Sequence, residues 1–559
     1  MPTNIPAREV PFPSSFALTQ APDSKSVKET KEPELEIDQI QGNILAGFNK
    51  DNQTLIFLDI HDRKKFKLWL RAITPFVATT EEVLQFNRLF KLIRSRRKVE
   101  SRAVLSTWLN IAFSFKGLKK LDKEEAAKFR DEAFKAGLAE RSRDLRDPSE
   151  GIGAQKNWLI GGEDNEADLL LILASDSIEE MALAVRRLES WIYEGAELDG
   201  KVVPSGVDVI FKQKGATLPS PLTGHEHFGF LDGVSQPGIR GTVGKTTELI
   251  TPRQNPADPN QGKPGQDRLW PGEFVFGYPA QDPKDPDRKA ELKSEGPSWS
   301  KNGSFLVFRR LRQDVGGFHE FLKSEGDRLK LGPELFGAKC VGRWASGAPI
   351  ERATTADNLK MSRDDCANNA FDFQEATVPK PPKPGSGQCA DNFPKSLAQE
   401  DKDGLVCPFA GHIRKAYPRD DVSSDPKKQL DPNEADTETH RLLRRGIPFG
   451  DPFDPTVIPD DGNRGLLFLA YQTSIEGQFE FVTKNWVNNP DFKDPGSGHD
   501  PILGQSNKNG NRERFFSIKL ANGEKQTIRL EKDWVIPTGG GYFFSPSIHA
   551  LEVLSESGE

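Results

Sequence analysis

Residues 167–195, ADLLLILASDSIEEMALAVRRLESWIYEG, run an unbroken apolar stretch straight into an amphipathic one. An apolar run of strand length followed by helical spacing describes a strand that feeds a helix packed back on its own sheet. The strand is expected to end at Ala174, with Ser175 or Asp176 as the helix N-cap. Glu179 and Glu180 then fall in the first turn, where the helix dipole favours acids. The same switch recurs along the chain. TLIFLDIHD at 54–62 leads into RKKFKLWLRAITP, where Phe66, Leu68, Trp69 and Leu70 are expected on one helix face. STWLNIAFSFKGLKKL (106–121), GSFLVFRRLRQDVGGFHEFLKSEGD (303–327) and RGLLFLAYQTSIEGQFEFVTKNW (464–486) repeat the pattern. Both halves of the 559 residues therefore predict α+β domains with helices on sheets.

Composition narrows the function classes. A net charge of -7 argues against a nucleic-acid binder, which carries a basic surplus. The basic run KLIRSRRKVESR at 91–102 reads as a solvated helix face and receives no function. No run approaches the roughly 18 apolar residues of a membrane span. Residues 1–38 are polar and Pro-rich, without the apolar core of a secretory signal, and read as a flexible arm, with folded structure beginning near Ile40. The four cysteines, Cys340, Cys366, Cys389 and Cys407, form no C-x-x-C pair and are too sparse for a disulfide framework, so a reducing, cytoplasmic setting is expected. Two long stretches dense in Pro, Gly and Asp, 242–302 and 361–404, read as functional or covering segments.

Eight histidines offer candidate chemistry. His225-Glu226-His227 resembles half of a metal site, but no second His, Cys or Asp group at zinc-like spacing completes it. His61, His319 and His549 lie in or beside apolar segments and need no special role. His412 differs, because CPFAGHIRKAYPR (407–419) is apolar before the histidine and carries Arg414, Lys415 and Arg419 after it. An imidazole with cations beside it suits ligation of the metal in a cofactor that bears anionic groups. HRLLRRGIPFG (440–450) sets Arg444 and Arg445 in an apolar segment, and buried arginines imply a buried anion or carboxylate. Asp232, between Phe-Gly-Phe-Leu and Gly, is a carboxylate in interior-like surroundings, where charge is costly unless paired.

Taken together and in order, GFLDG (229–233), CPFAGHIRK, LLRRGIPFG, GLLFLAYQTS (465–474) and HDPILGQ (499–505) resemble the dye-decolorizing peroxidase family. IQGNILAGFNK (40–50), PGEFVFGYP (271–279), VGRWASGAP (341–349) and GGGYFFSPSIHAL (539–551) extend the resemblance over nearly everything after residue 38. It implies two ferredoxin-like α+β domains of the dimeric α/β barrel type, at 39–240 and 241–559, with haem b in the second. It further implies His412 as axial ligand of the haem iron, with Asp500 accepting the hydrogen bond from its other nitrogen. Asp232 becomes the acid-base residue, Arg444 its partner, and Leu466 and Phe468 the apolar wall, while Arg414 and Arg419 are implied propionate partners. One departure is Gly411, where the family usually has alanine.

The activity implied is peroxide-driven oxidation of bulky aromatics, such as anthraquinone-type dyes and phenols, through a ferryl porphyrin-radical intermediate with an acidic optimum. Surface aromatics, Tyr417 and Trp486 among the candidates, would relay electrons from substrates too large for the haem pocket. The partners are then hydrogen peroxide and aromatic reductants, with no nucleic acid and no membrane, and a homo-oligomer is compatible with the sequence. The alternative is a haem-handling protein with incidental peroxidase activity; the full set of Asp232, Arg444, His412 and Asp500 argues against it, since storage needs only the ligand.

Overall fold

The computed structural model describes residues 31–97, 105–253, 258–285, 287–292, 296–376, 389, 398–421, 434–457, 462–507 and 512–556. Most of the expected arm and part of the 91–102 run lie outside them. In the first half, β1 (Asn52–Ile60) feeds α1 (Arg63–Ile73), β2 (Thr107–Phe113) follows, β3 (Leu169–Ser175) feeds α2 (Ile178–Tyr193), and β4 (Val207–Ala216) completes the set. In the second half, β5 (Ser304–Gln313) feeds α3 (Val315–Arg328), and β6 (Leu443–Arg444), β7 (Gly465–Gln472) and β8 (Val535–Ser545) follow.

All these strands lie in one antiparallel sheet of order β6-β7-β5-β8-β2-β3-β1-β4. Each half therefore repeats the order second, third, first, fourth, the ferredoxin-like arrangement. The halves meet between β8 and β2 at a single register pair, Phe544 against Phe113. The sheet also curls back on itself. A Cβ on Gly215 of β4 would lie 2.7 Å from Ile447 Cγ2 and 3.1 Å from Leu467 Cδ1, and Arg310 Nε donates to Gln213 Oε1 of β4 at 2.8 Å.

Burial explains why β3 is apolar throughout. Leu169, Leu171 and Leu173 pack in the layer under the helices, whereas Leu170, Ile172 and Ala174 face the second core inside the curled sheet. A strand covered on both faces loses the polar alternation of a half-exposed one.

Several local expectations need correction. The N-cap of α2 is Ser177, whose side chain accepts from Glu180 N at 3.1 Å, because β3 runs on to Ser175. Leu68 is 46% exposed, since the buried stripe of α1 is Phe66, Trp69, Leu70 and Ile73, the i, i+3, i+4, i+7 set. Order begins before Ile40: Leu35 and Ile37 are buried, and Glu34–Leu35 pairs with Thr242–Val243. After β7 the chain winds as two π-helical turns, Ile475–Phe479 and Val482–Val487, in place of a regular α-helix. Cys366 and Cys389 are joined in a disulfide, and only Cys340 and Cys407 are free and buried. Such a bridge belongs to chains that fold in oxidising surroundings, so the cysteines no longer support a reducing compartment. No helix among the described residues is long and apolar enough to cross a membrane.

Candidate active site

A cavity of about 350 Å³ is bordered by Asp232, His412, Arg419, Arg444, Leu466 and Phe468 together. Most of its wall comes from the chain after residue 241, but Glu226–Pro237, Leu145 and Asp147 come from before it.

His412 opens the short helix α4 (His412–Ala416), with Gly411 at its N-cap. Its Nδ1 lies 2.7 Å from Asp500 Oδ2. A carboxylate only accepts, so Nδ1 carries a proton, and in the neutral ring Nε2 keeps its lone pair. A quarter of the His412 side chain is exposed, and it borders the cavity. Burial alone would lower the imidazole pKa; the Asp500 carboxylate overrides it and holds the ring above its ordinary value. Asp500 is itself fully buried, and its Oδ1 accepts the amides of Ile502 and Leu503 at 2.7 and 3.0 Å. The glycine at 411 is the tight choice: a methyl there would meet Pro408 O at 3.0 Å and Lys339 O at 3.1 Å.

Asp232 sits on the turn that follows Gly229, both of whose flanking glycines, Gly229 and Gly233, adopt positive φ with open space where a Cβ would point. Its Oδ1 accepts Gly233 N at 2.6 Å and faces Arg444 Nη1 at 3.5 Å, while Oδ2 has no partner among the described residues. Arg444 is held by its other arm: Nη2 donates to Ser235 O at 2.8 Å. Its neighbour Arg445, just past the end of β6, points elsewhere. Arg445 donates to the carbonyls of Asn43, Ile44 and Leu45; among the described residues it contacts no carboxylate, and it does not border the cavity shared by Asp232. Leu466 and Phe468 alternate with Leu467 and Leu469: the first pair borders the cavity and the second packs in the barrel core.

The expected cationic contacts divide. Arg419 borders the cavity, with Nη1 on Phe371 O (2.6 Å) and Asn369 O (3.1 Å). Arg414 does not border it. Its guanidinium is fully buried between Asp421 (Nε–Oδ2 2.6 Å) and Asp401 (Nη1–Oδ2 3.0 Å), so the expectation of a propionate contact fails for this residue. The sequence reading missed Arg343, which lies in the VGRWASGAP stretch and borders the cavity. Among the described residues, the Arg343 guanidinium donates to the carbonyls of Gly347 and Asn368 and to the Asn369 amide oxygen. Burial, with the nearby charges of Arg419 and Arg444, pulls its pKa down to about 9. The clue available in sequence was an arginine inside an apolar segment, the same clue that singled out Arg444.

Haem fits this donor set. A bare imidazole nitrogen faces an apolar slot; of the five arginines that border it, Arg309 and Arg441 are paired with Asp147 and Asp267, while Arg343, Arg419 and Arg444 have, among the described residues, only the 3.5 Å contact to Asp232 and a 3.9 Å contact to Asp372 as carboxylate partners. Surplus buried positive charge calls for an anion, which the edge groups of a porphyrin provide. Among the described residues no cluster of His, Cys, Asp and Glu could hold a bare metal ion.

Residues 39–204 match the DyP dimeric alpha+beta barrel domain, and residues 411–496 match the Dyp-type peroxidase C-terminal domain. Dye-decolorizing peroxidase msp1 of Mycetinis scorodonius is 30% identical, over 98% of this chain and 92% of that protein. This chain belongs to the dye-decolorizing peroxidase family. A bacterial relative, the multifunctional dye peroxidase of Amycolatopsis, is 26% identical over 93% of the chain and 96% of its own length. Among solved structures, a mutant of the dye-decolorizing peroxidase from Pleurotus ostreatus superposes with a TM-score of 0.71 at 30% identity, covering 93% of this chain and 99% of that one. The dye-decolorizing peroxidase of Auricularia auricula-judae gives 0.68 at 28% identity, covering 93% and 100%. The family is one of haem peroxidases, and the ferredoxin-like strand order read above is its fold.

Proposed function

We propose that the protein is a peroxidase that holds haem b through His412 and oxidises bulky aromatic reductants, dyes and phenols among them, with hydrogen peroxide. The observation that carries this reading is that one cavity is bordered by both an acid-base pair, Asp232 with Arg444, and an imidazole tied to a buried carboxylate. Haem, when bound, supplies the electrons that reduce peroxide to water and recovers them from the reductant one at a time.

The chain's own residues move the proton. Asp232 Oδ1 is occupied by the Gly233 amide and faces Arg444, so the free Oδ2 is the atom that takes a proton from one peroxide oxygen and returns it to the other, which leaves as water. Arg444 adds a positive charge beside the negative charge that develops as the O–O bond breaks. On the ligand side, Asp500 fixes the His412 tautomer and strengthens the ring as a donor. Arg343 and Arg419 would bind the propionates, and Leu466 and Phe468 would keep water from the reacting oxygens.

Neither proposed electron relay is a surface aromatic. Trp486 is 2% exposed and stacks on Phe492. Tyr417 borders the cavity, donates its hydroxyl to Asp267, and carries the Arg441 guanidinium 3.5 Å from its ring centroid. Large substrates would be oxidised at the cavity mouth, through these rings, or through an exposed aromatic such as Tyr193, which is 67% exposed.

The test is the visible spectrum of haem-supplemented protein before and after one equivalent of peroxide, alongside His412→Ala. A stoichiometric haem band that changes within the mixing time, and is absent or altered in the variant, supports the reading. Haem that is only bleached by peroxide sinks it.

A further inference from the structure

The HEH segment, unused as a metal site, has a second role in this geometry. Glu226 borders the same cavity as Asp232, six residues away in sequence. Its carboxylate is the centre of the turn that leads to Asp232. Oε2 accepts the amide of Phe228 and Oε1 the amide of Phe230, both at 2.9 Å. The backbone closes around this fork: Glu226 N donates to Phe230 O at 3.0 Å, and Gly229 N to Glu226 O at 2.9 Å. A third side-chain donor arrives from the sheet, because Gln313, the last residue of β5, directs Nε2 to Glu226 Oε2 at 2.5 Å. Past the turn, Leu231 N reaches Ala345 O (3.0 Å) and Asp232 N reaches Gly224 O (3.1 Å).

All three groups on the Glu226 carboxylate are donors, so the site is shaped for an acceptor with two oxygens. Burial pushes its pKa up to about 7, the three donors opposing that rise and the Asp232 charge adding to it. Nothing in this arrangement places Glu226 on the reacting oxygens. Its contacts lead to the loop and, through Gln313, to the strand that carries the cavity wall.

We infer that Glu226 is a positioning residue, a carboxylate clamp that fixes the Phe228–Phe230 turn to β5 and thereby sets where Asp232 Oδ2 stands in the cavity. The inference rests on the proposed peroxidase reading, and the experiment separates the two. Full-length haem-loaded wild type, Glu226→Ala, Glu226→Gln, Asp232→Asn and the double variant Glu226→Ala/Asp232→Asn are compared by two readouts. The first is hydrogen exchange at the Phe228 and Phe230 amides, expected to quicken at least tenfold in Glu226→Ala. The second is the bimolecular rate of the peroxide-driven spectral change, expected to fall about tenfold or more in Glu226→Ala, with the rate of the following oxidation of a small phenol unchanged. Glu226→Gln keeps one acceptor oxygen and should recover part of both losses.

Because Glu226 acts through Asp232, adding Glu226→Ala to Asp232→Asn should cost nothing further. Fully additive losses, or an equal fall in both half-reactions with loss of haem, would make Glu226 a general structural residue and overturn the inference. Unchanged amide exchange in Glu226→Ala would also overturn it. A fully active Asp232→Asn would instead remove the acid-base assignment on which the inference depends, and would show that failure separately from the amide readout.

Discussion

Asp500 and Asp232 are both carboxylates paired with a nitrogen base near one cavity, but the Asp500 side chain has no exposed surface and the Asp232 side chain is 38% exposed. Asp500 accepts three hydrogen bonds of 3.0 Å or less, from His412 and two backbone amides. Asp232 accepts one backbone amide, faces an arginine at 3.5 Å and leaves Oδ2 open. A fully buried carboxylate with three of its roughly four acceptor sites filled is held in place and holds its partner still. An unsaturated one, with a loosely placed cation, can take up a proton and release it. The difference in packing therefore sets the proposed ligand-fixing role of Asp500 apart from the proposed proton-moving role of Asp232.

The comparison is broken most severely from the loose side. Arg444→Leu should slow the peroxide step by about a hundredfold or more, as loss of one charge-stabilising donor does, and at least as much as Asp232→Asn. A fully active Arg444→Leu protein, measured by stopped flow, would show that the 3.5 Å contact is incidental. From the saturated side the effect should be smaller. Asp500→Asn keeps an acceptor oxygen for His412 but loses its charge, and roughly a ten- to hundredfold fall in haem affinity or peroxide rate is expected. A haem titration that leaves affinity and rate untouched would mean that the buried charge does nothing to the imidazole. The smallest effect sharpens the contrast by leaving both pairs alone. Gly411→Ala places a methyl 3.0 Å from Pro408 O and should cost about 1 kcal/mol of stability in a urea titration, with the spectrum and peroxide rate unchanged.

How far the sequence could be read depended on whether a residue's partner was local. The strand–helix units were visible because periodicity is a property of neighbouring residues, and the strand order then followed the ferredoxin-like pattern. His412, Asp232 and Arg444 were visible because each stands in a short stretch whose order along the chain is itself informative. Arg414 and Arg419 were indistinguishable at that level. What separates them is that Asp401 and Asp421, lying thirteen residues before and seven after, enclose Arg414 away from the cavity. The Cys366–Cys389 bridge was hidden for a related reason: four cysteines without a spacing motif do not reveal which two meet. Glu226 was noticed for the wrong chemistry, because the amides it accepts carry no signature in side-chain letters.

The adjacent arginines Arg444, which ends β6, and Arg445, which follows it, carry a further consequence for how this site tolerates change in chain length. Arg445 plugs the carbonyls at the end of the short helix Gly42–Leu45, four hundred residues distant in sequence, while Arg444 reaches the opposite face. Inserting or deleting one residue upstream of this strand would exchange the two faces, sending Arg445 into the cavity and tearing three carbonyls from their donor. The plug therefore acts as a register check on its cavity-facing neighbour, and indels should be confined to segments such as 451–457, beyond the reach of that lock.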